Sequence, residues 1–319
     1  MPPKPPTTIR VALDWTPNTL HTGLFLAQSL NFYTSANLNV TLLPPSSDYS
    51  TTPARLVAAG EADLAICPSE SCLAYAESGK LLLQAIYAIC QRDASAIVTT
   101  KPEFKDLKAL GGATYGSYNA RYEDEIVRSM VAQAGGDGNA LKIEGQKGKL
   151  SLFEATKKGE VDATWVFLPW EGVEAELDAT ELGVFRPGDY GVPYGYSPVI
   201  CRNKGGTVSE EALKSFVRET ARGYQLAMND VGKAVEVMKA HVEGRSEEFL
   251  RKSQEAINGY YGDTVSTTAF ALGQMDVGKW KEWVDWLRGK QLLTADNINL
   301  EDLFTNQFFN QCMLLETDE

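Results

Sequence analysis

Short apolar runs alternate along this chain with stretches whose hydrophobic positions recur at helical spacing. Ile9 to Leu13 reads as a strand, and Gly23 to Ser29 as a helix after an intervening turn. A strand over Leu38 to Leu43 leads into a polar turn, Pro44 to Asp48. Helix Thr52 to Gly60, strand Ala62 to Ile66, helix Glu70 to Ser78 and strand Leu81 to Ala88 follow. A βαβαβ rhythm of this kind predicts a parallel sheet covered by helices on both faces.

The rhythm then starts again. Ala96 to Thr99 is a strand pattern and Lys101 to Leu110 a helical connector, after which Gly111 to Gly116 runs toward a helix over Tyr122 to Ala134. Lys142 to Glu144, Leu152 to Lys158 and Val161 to Phe167 read as strand, helix and strand. One segment is echoed: Leu56 to Leu64 (LVAAGEADL) resembles Ala155 to Ala163 (ATKKGEVDA), each a helix end, a glycine, an acidic residue and a strand opening on aspartate. The echo is one of supersecondary plan and predicts two similar α/β lobes. The chain returns to the first lobe near Ser197 to Cys201, giving a disordered proline-rich tail over 1–8, lobe one over 9–95 plus 197–319, and lobe two over 96–196. Ser209 to Met228, Val231 to Val242 and Ser246 to Asn258 are helical by period. Trp280, Trp283 and Trp286 share one side of a later helix, as residues that pack.

Composition narrows the function classes. At 319 residues the chain suits two compact domains or one large one. Its formal charge of −12 argues against nucleic acid or an anionic membrane as the main partner, since both are held by Lys and Arg. No run approaches the roughly 20 apolar residues of a membrane helix. The start, Met1-Pro2-Pro3-Lys4-Pro5-Pro6, lacks the apolar core of a secretory signal. A cytoplasmic location is therefore expected, or a periplasmic one if a leader precedes it. Five cysteines (Cys67, Cys72, Cys90, Cys201, Cys312) without zinc-type pairs, and two histidines, predict reduced structural thiols and no metal site.

Candidate chemistry concentrates in the turn after the first strand, Asp14-Trp15-Thr16-Pro17-Asn18-Thr19-Leu20-His21-Thr22-Gly23. Pro17 and Asn18 bend it, and Thr22 is placed to cap the helix. Turns past the carboxyl end of a strand in an α/β sheet are where small ligands bind. Two readings of Trp15 stand, a stacking surface or a half-buried wedge, and two of His21, a ligand donor or a tie for its own loop. Ser117, Tyr118 and Asn119 precede a helix and offer backbone N–H groups to an anion or hydroxyl. No Gly-x-Ser-x-Gly elbow is present and His241 has no evident partner. Cys67 or Cys72 beside Glu70 allows a thiol nucleophile, against the commoner role of buried cysteine in packing.

Val11 to Thr19 with His21-Thr22-Gly23, then Leu56 to Asp63, then Trp165-Val166-Phe167 with Trp170-Glu171-Gly172-Val173-Glu174-Ala175-Glu176, resemble the thiamine-pyrimidine branch of the type II periplasmic-binding-protein fold. That branch holds bacterial binding proteins for formylaminopyrimidine, the nearer likeness, and fungal enzymes that make the hydroxymethylpyrimidine phosphate of thiamine. The resemblance covers roughly residues 8 to 260. It implies two lobes, each a mostly parallel sheet flanked by helices, with a ligand cleft between them and hinges near Arg92 to Ala96 and Tyr196 to Ile200. It departs from the synthases where those carry a cysteine-rich run and a lysine and histidine. Here the matching stretches read Gly191 to Pro198, without cysteine, and Cys67 to Ser71, without either base.

A thiamine-type aminopyrimidine is flat and neutral, and asks for stacking faces and in-plane hydrogen bonds. The resemblance therefore points to Trp15 with Trp170 or Tyr196 as the stack. Glu171, Glu174 or Glu70 would take the exocyclic amine, with Asn18 and His21 nearby. No cofactor, catalytic residue or metal is expected. The partner is a small pyrimidine, and a transporter partner is doubtful without an export signal. An enzyme of pyrimidine synthesis or breakdown, using the same cleft, is the alternative.

Overall fold

The computed structural model describes residues 5–46, 49–146, 152–262, 272–295 and 298–309. Met1 to Lys4, Ser47, Asp48 and Cys312 lie outside the described residues. Ten strands occur among the described residues: β1 (Thr7–Ala12), β2 (Leu38–Leu43), β3 (Leu64–Cys67), β4 (Leu83–Ala88), β5 (Ser95–Thr99), β6 (Thr114–Ser117), β7 (Lys142–Gly145), β8 (Ala163–Phe167), β9 (Gly183–Phe185) and β10 (Val199–Asn203). They form two five-stranded sheets, ordered β2-β1-β3-β10-β4 and β7-β6-β8-β5-β9.

By its contacts the chain divides into a first unit (residues 1–93, 195–281 and 294–319) and a second (94–194 and 282–293). The sequence reading gave all of 197–319 to the first lobe; here Glu282 to Leu293 goes with the second unit. The ring of Trp283 explains this, lying 5.3 Å from Tyr194, itself 5.2 Å from Trp165 on β8. Strand β1 also opens at Thr7, inside the stretch assigned to the tail.

Both sheets are mostly parallel, as expected, and each carries one reversed strand. In the first, β1 is parallel to β2 and β3, whereas β10 runs antiparallel to β3 and β4. In the second, β6 is parallel to β7 and β8, whereas β5 runs antiparallel to β8 and β9. Four strands of each sheet share a direction, and the reversed one is the strand by which the chain enters or re-enters the unit.

The repeated Gly-acidic-x-Asp block now has a physical cause. Gly60 and Gly159 end the helices Pro53–Ala58 and Leu152–Lys157 in the left-handed region, at φ +74° and +75°. The next amides, Glu61 and Glu160, donate back to Leu56 O and Ala155 O at 2.9 Å, the closing bond of a glycine C-cap. Asp63 then clasps the neighbouring strand: its N–H donates to Arg10 O at 2.9 Å while its carboxylate accepts from Arg10 N at 2.8 Å. Asp162 does the same to Thr114, with 2.7 Å for each bond. Arg10 and Lys101 complete the two clasps by pairing with Asp63 and Asp162.

The connector Lys101 to Leu110 is two separate 3₁₀ turns, Pro102–Phe104 and Leu107–Leu110, with Asp106 capping the second. In the first unit, Gly23 and Gly223 let the helices Thr22–Ser29 and Glu210–Asn229 touch. A Cβ on Gly23 would stand 2.3 Å from the Tyr224 ring, and one on Gly223 2.0 Å from Gly23 O. Trp280 and Trp283 of the helix Val277–Gly289 are fully buried.

Candidate functional site

In the first unit, the carboxyl end of β1 opens into the Asp14–His21 turn. Asn18 caps a 3₁₀ turn, Thr19–His21, by accepting the Leu20 N–H at 2.8 Å, so the cap is Asn18 and Thr22 is already the first helical residue. The Asn18 N–H donates to His21 Nδ1 at 3.3 Å. That bond fixes the ring's proton on Nε2, which donates to Asp14 Oδ1 at 2.8 Å. His21 is thus fully buried and tied into its own loop. The Asn18 amide is occupied likewise, donating to Thr16 O at 3.2 Å.

Buried hydroxyls pin the rest of the turn from behind. Thr19 Oγ1 meets Ser253 Oγ at 2.6 Å, and Thr22 Oγ1 donates to Gln254 Oε1 at 2.6 Å. Tyr224 donates to Leu20 O at 2.9 Å, and the Tyr261 hydroxyl bonds Thr19 O. This scaffold leaves Trp15 half-buried at the front of the turn, its ring 5.0 Å from that of Tyr49. Tyr49 was not legible as a neighbour, because it sits in a proline- and serine-rich loop without periodicity.

Glu70 follows β3 and is 5% exposed at the start of the helix Glu70–Ser78. Behind it Cys67, Cys72 and Cys201 converge, with Sγ–Sγ distances of 3.6 Å (Cys67 to Cys201) and 3.3 Å (Cys72 to Cys201). Burial pushes the Cys72 and Cys201 thiols above their usual range, which is the opposite of what a nucleophile needs. Tyr196 is buried, and its hydroxyl accepts the Asp276 N–H at 2.8 Å. Burial raises that hydroxyl to about 12.

In the second unit, Ser117 to Asn119 follow β6. The N–H groups expected there for an anion are taken by the protein itself: Glu123 accepts from Tyr118 N at 3.1 Å and Ala120 N at 3.0 Å, and Ser117 Oγ from Asn119 N at 3.0 Å. Burial holds the Glu123 carboxyl above its usual range even so. Burial together with Glu171 and Glu123 raises the Tyr118 hydroxyl.

Trp170 and Glu171 lie in a π-turn, Leu168–Gly172, after β8. Glu171 reaches back to accept the Phe167 N–H at 2.9 Å. Glu174, on the helix Val173–Leu177, is drawn into an ion cluster instead: Lys157 Nζ lies 2.7 Å from it, 2.6 Å from Glu154 and 3.2 Å from Asp178. Among the described residues, no three His, Cys, Asp or Glu side chains come together to hold a metal. No helix of the described residues is long and apolar enough to cross a membrane.

The matched strand orders sort these turns into pairs. The Trp15 turn after β1 corresponds to the Tyr118 turn after β6, and the Glu70 turn after β3 to the Trp170–Glu171 turn after β8. All four sit at the carboxyl ends of parallel neighbours, where α/β sheets bind ligands.

Comparison with known proteins agrees with this architecture. The profile of a family described as NMT1/THI5 like matches residues 18–234. A formylaminopyrimidine-binding protein of Halalkalibacterium halodurans is 23% identical over 303 residues, which is 94% of this chain and 90% of that one. A putative thiamine biosynthesis protein of Haemophilus influenzae is 23% identical over 291 residues, 89% of this chain and 88% of that one. Among solved structures, the alkanesulfonate-binding protein SsuA of Xanthomonas axonopodis pv. citri, bound to MOPS, superposes with a TM-score of 0.70 at 13% identity. That match covers 95% of this chain and 99% of the other. The fold is that of the periplasmic binding proteins.

Proposed function

The chain belongs to the NMT1/THI5-like family, and from that premise we propose that it binds a thiamine-related 4-amino-2-methylpyrimidine carrying a formylaminomethyl, aminomethyl or hydroxymethyl arm. The observation that carries the reading is the set of four turns at the carboxyl ends of β1, β3, β6 and β8, which present Trp15, Glu70, Tyr118, Trp170 and Glu171. The name of one sequence relative supplies the ligand class and that of the other the pathway.

In this reading Trp15 and Trp170 stack on the ring, and Glu171 accepts the exocyclic amine. Burying the ring between aromatic faces contributes about 0.5–1.5 kcal/mol per ring pair beyond apolar burial. Each in-plane hydrogen bond adds about 1 kcal/mol net. Asn18 and His21 act from behind, as the braces that hold the Trp15 turn. Glu174 serves the Lys157 cluster, and Tyr196 backs the site as a buried ring. The liganded protein acts in thiamine biosynthesis or salvage.

Calorimetric titration with the three pyrimidines tests this. Saturable heat with at least one is expected, weakened about tenfold or more in Trp15→Ala, Trp170→Ala and Glu171→Gln. Absence of heat with all three pyrimidines and with thiamine overturns the ligand assignment. Conversion of thiamine or of a pyrimidine during the incubation would replace binding with catalysis at the same residues.

A further inference from the structure

At the other end of the first sheet lies a cation that no carboxylate of the described residues pairs. Arg202, on β10, pairs in register with Leu64 and Gln84, at the amino ends of β3 and β4 and so opposite the Asp14–His21 turn. Its guanidinium is half-buried over the Phe308 ring, 4.7 Å from the centroid. Nε and Nη2 both donate to one neutral acceptor, Gln84 Oε1, at 3.1 and 3.0 Å. No carboxylate among the described residues forms an ion pair with it, although its neighbours are matched: Lys204 with Asp302 at 2.6 Å and Arg10 with Asp63 at 2.9 Å. Burial lowers the guanidinium's pKa, an effect that Glu210 only partly opposes at a distance.

Arg202 opens onto a cavity of about 350 Å³ that Gln84, Lys204, Val277, Leu300, Phe304 and the acidic Glu301 also line. Its wall is apolar where Val277, Leu300 and Phe304 face it, and Val277 is 58% exposed. A half-buried guanidinium held only by a neutral acceptor and a ring among the described residues gains from an anion that completes it. The planar guanidinium fork suits an oxyanion head, and the cavity is large enough for a small ring behind that head.

We propose that this cavity is a second ligand site, taking a small organic anion whose carboxylate sits on Arg202 and whose apolar body lies against Val277, Leu300 and Phe304. The site is independent of the pyrimidine reading, because it uses none of the same residues.

Benzoate is the probe, with neutral benzamide and inorganic phosphate beside it, in titrations of the full-length protein followed by amide shifts of Thr305 and Gln307 and by the Arg202 Nε resonance. Benzoate is expected to give saturable shifts at all three, with none from benzamide. Arg202→Met keeps the stem over Phe308 and is expected to weaken benzoate about tenfold. Val277→Asp, at an exposed position that leaves folding intact, is expected to weaken it about fivefold by like-charge repulsion. No saturable shift with benzoate, unchanged affinity in both variants, or phosphate binding as tightly as benzoate would each overturn the proposal.

Discussion

Replacing Asp63 with asparagine removes one charge from a clasp that the chain builds twice, and the structure sets the size of the effect. The Asp63 carboxylate accepts three hydrogen bonds: Arg10 N at 2.8 Å, Arg10 Nε at 3.0 Å and Arg10 Nη2 at 2.9 Å. The Arg10 side chain is 38% exposed and the Asp63 side chain 18%, so the ion pair itself contributes at most about 1 kcal/mol. The bond from the backbone amide is less screened and belongs with hydrogen bonds to charged groups, about 1.5–3 kcal/mol. Asp63→Asn keeps an oxygen facing the backbone and loses the fork, for a cost of about 1 kcal/mol. Asp63→Ala loses all three bonds, for about 2–3 kcal/mol.

Burial alone would raise the Asp63 carboxyl, but the bonds from Arg10 outweigh it and hold the group below its usual range. A depressed folded value means the stabilisation is complete above the unfolded aspartate value of about 3.9 and is lost as pH falls through the folded value. Urea unfolding at pH 7 and pH 3, read together with exchange of the Asp63 amide, measures this. The gap between wild type and Asp63→Asn should shrink at pH 3. Asp162→Asn should behave alike, because Asp162 is also held low, by Lys101 and the Thr114 N–H against burial. An Asp63→Asn cost that is negligible at pH 7, or identical at the two pH values, would refute the clasp.

Gly23→Ala and Gly223→Ala should each cost about 3 kcal/mol in chemical unfolding, since the new methyl meets a fully buried ring or a backbone oxygen. The peptides carrying Cys72 and Cys201 should resist iodoacetamide at pH 8 until urea unfolds the protein, as peptide mass mapping would report. Lys157→Met should lower the urea midpoint by about 1 kcal/mol's worth, because it leaves Glu154, Glu174 and Asp178 facing one another, and should leave pyrimidine affinity unchanged.

Much of this was legible in the residues, and the parts that were not share a cause. The helix Glu70–Ser78 lies where the pattern put it, and the echo around Asp63 and Asp162 marks real structural equivalents. The one reversed strand in each sheet escaped, because alternation reports which face of a strand is buried and not which way its neighbour runs. Val199 to Asn203 and Ser95 to Thr99 look locally like any other strand. The HTG triplet also reads differently in three dimensions. Gly23 is there for a helix contact and His21 for its own loop, while Trp15 stays half-buried beside Tyr49. Tyr49 joined the turn, and Asp14 paired with His21 inside it, through contacts that no local spacing announces.

The place of β10 between β3 and β4 has a consequence for synthesis. When β1 to β4 leave the ribosome, the strand that must join β3 to β4 does not yet exist, and it arrives only after the whole 94–194 segment has been made. The second sheet meets no such delay, because its reversed member β5 is made first and its partners follow without interruption. The half of the molecule begun earliest is thus completed last, and its nascent apolar edges at β3 and β4 stay uncovered through that interval.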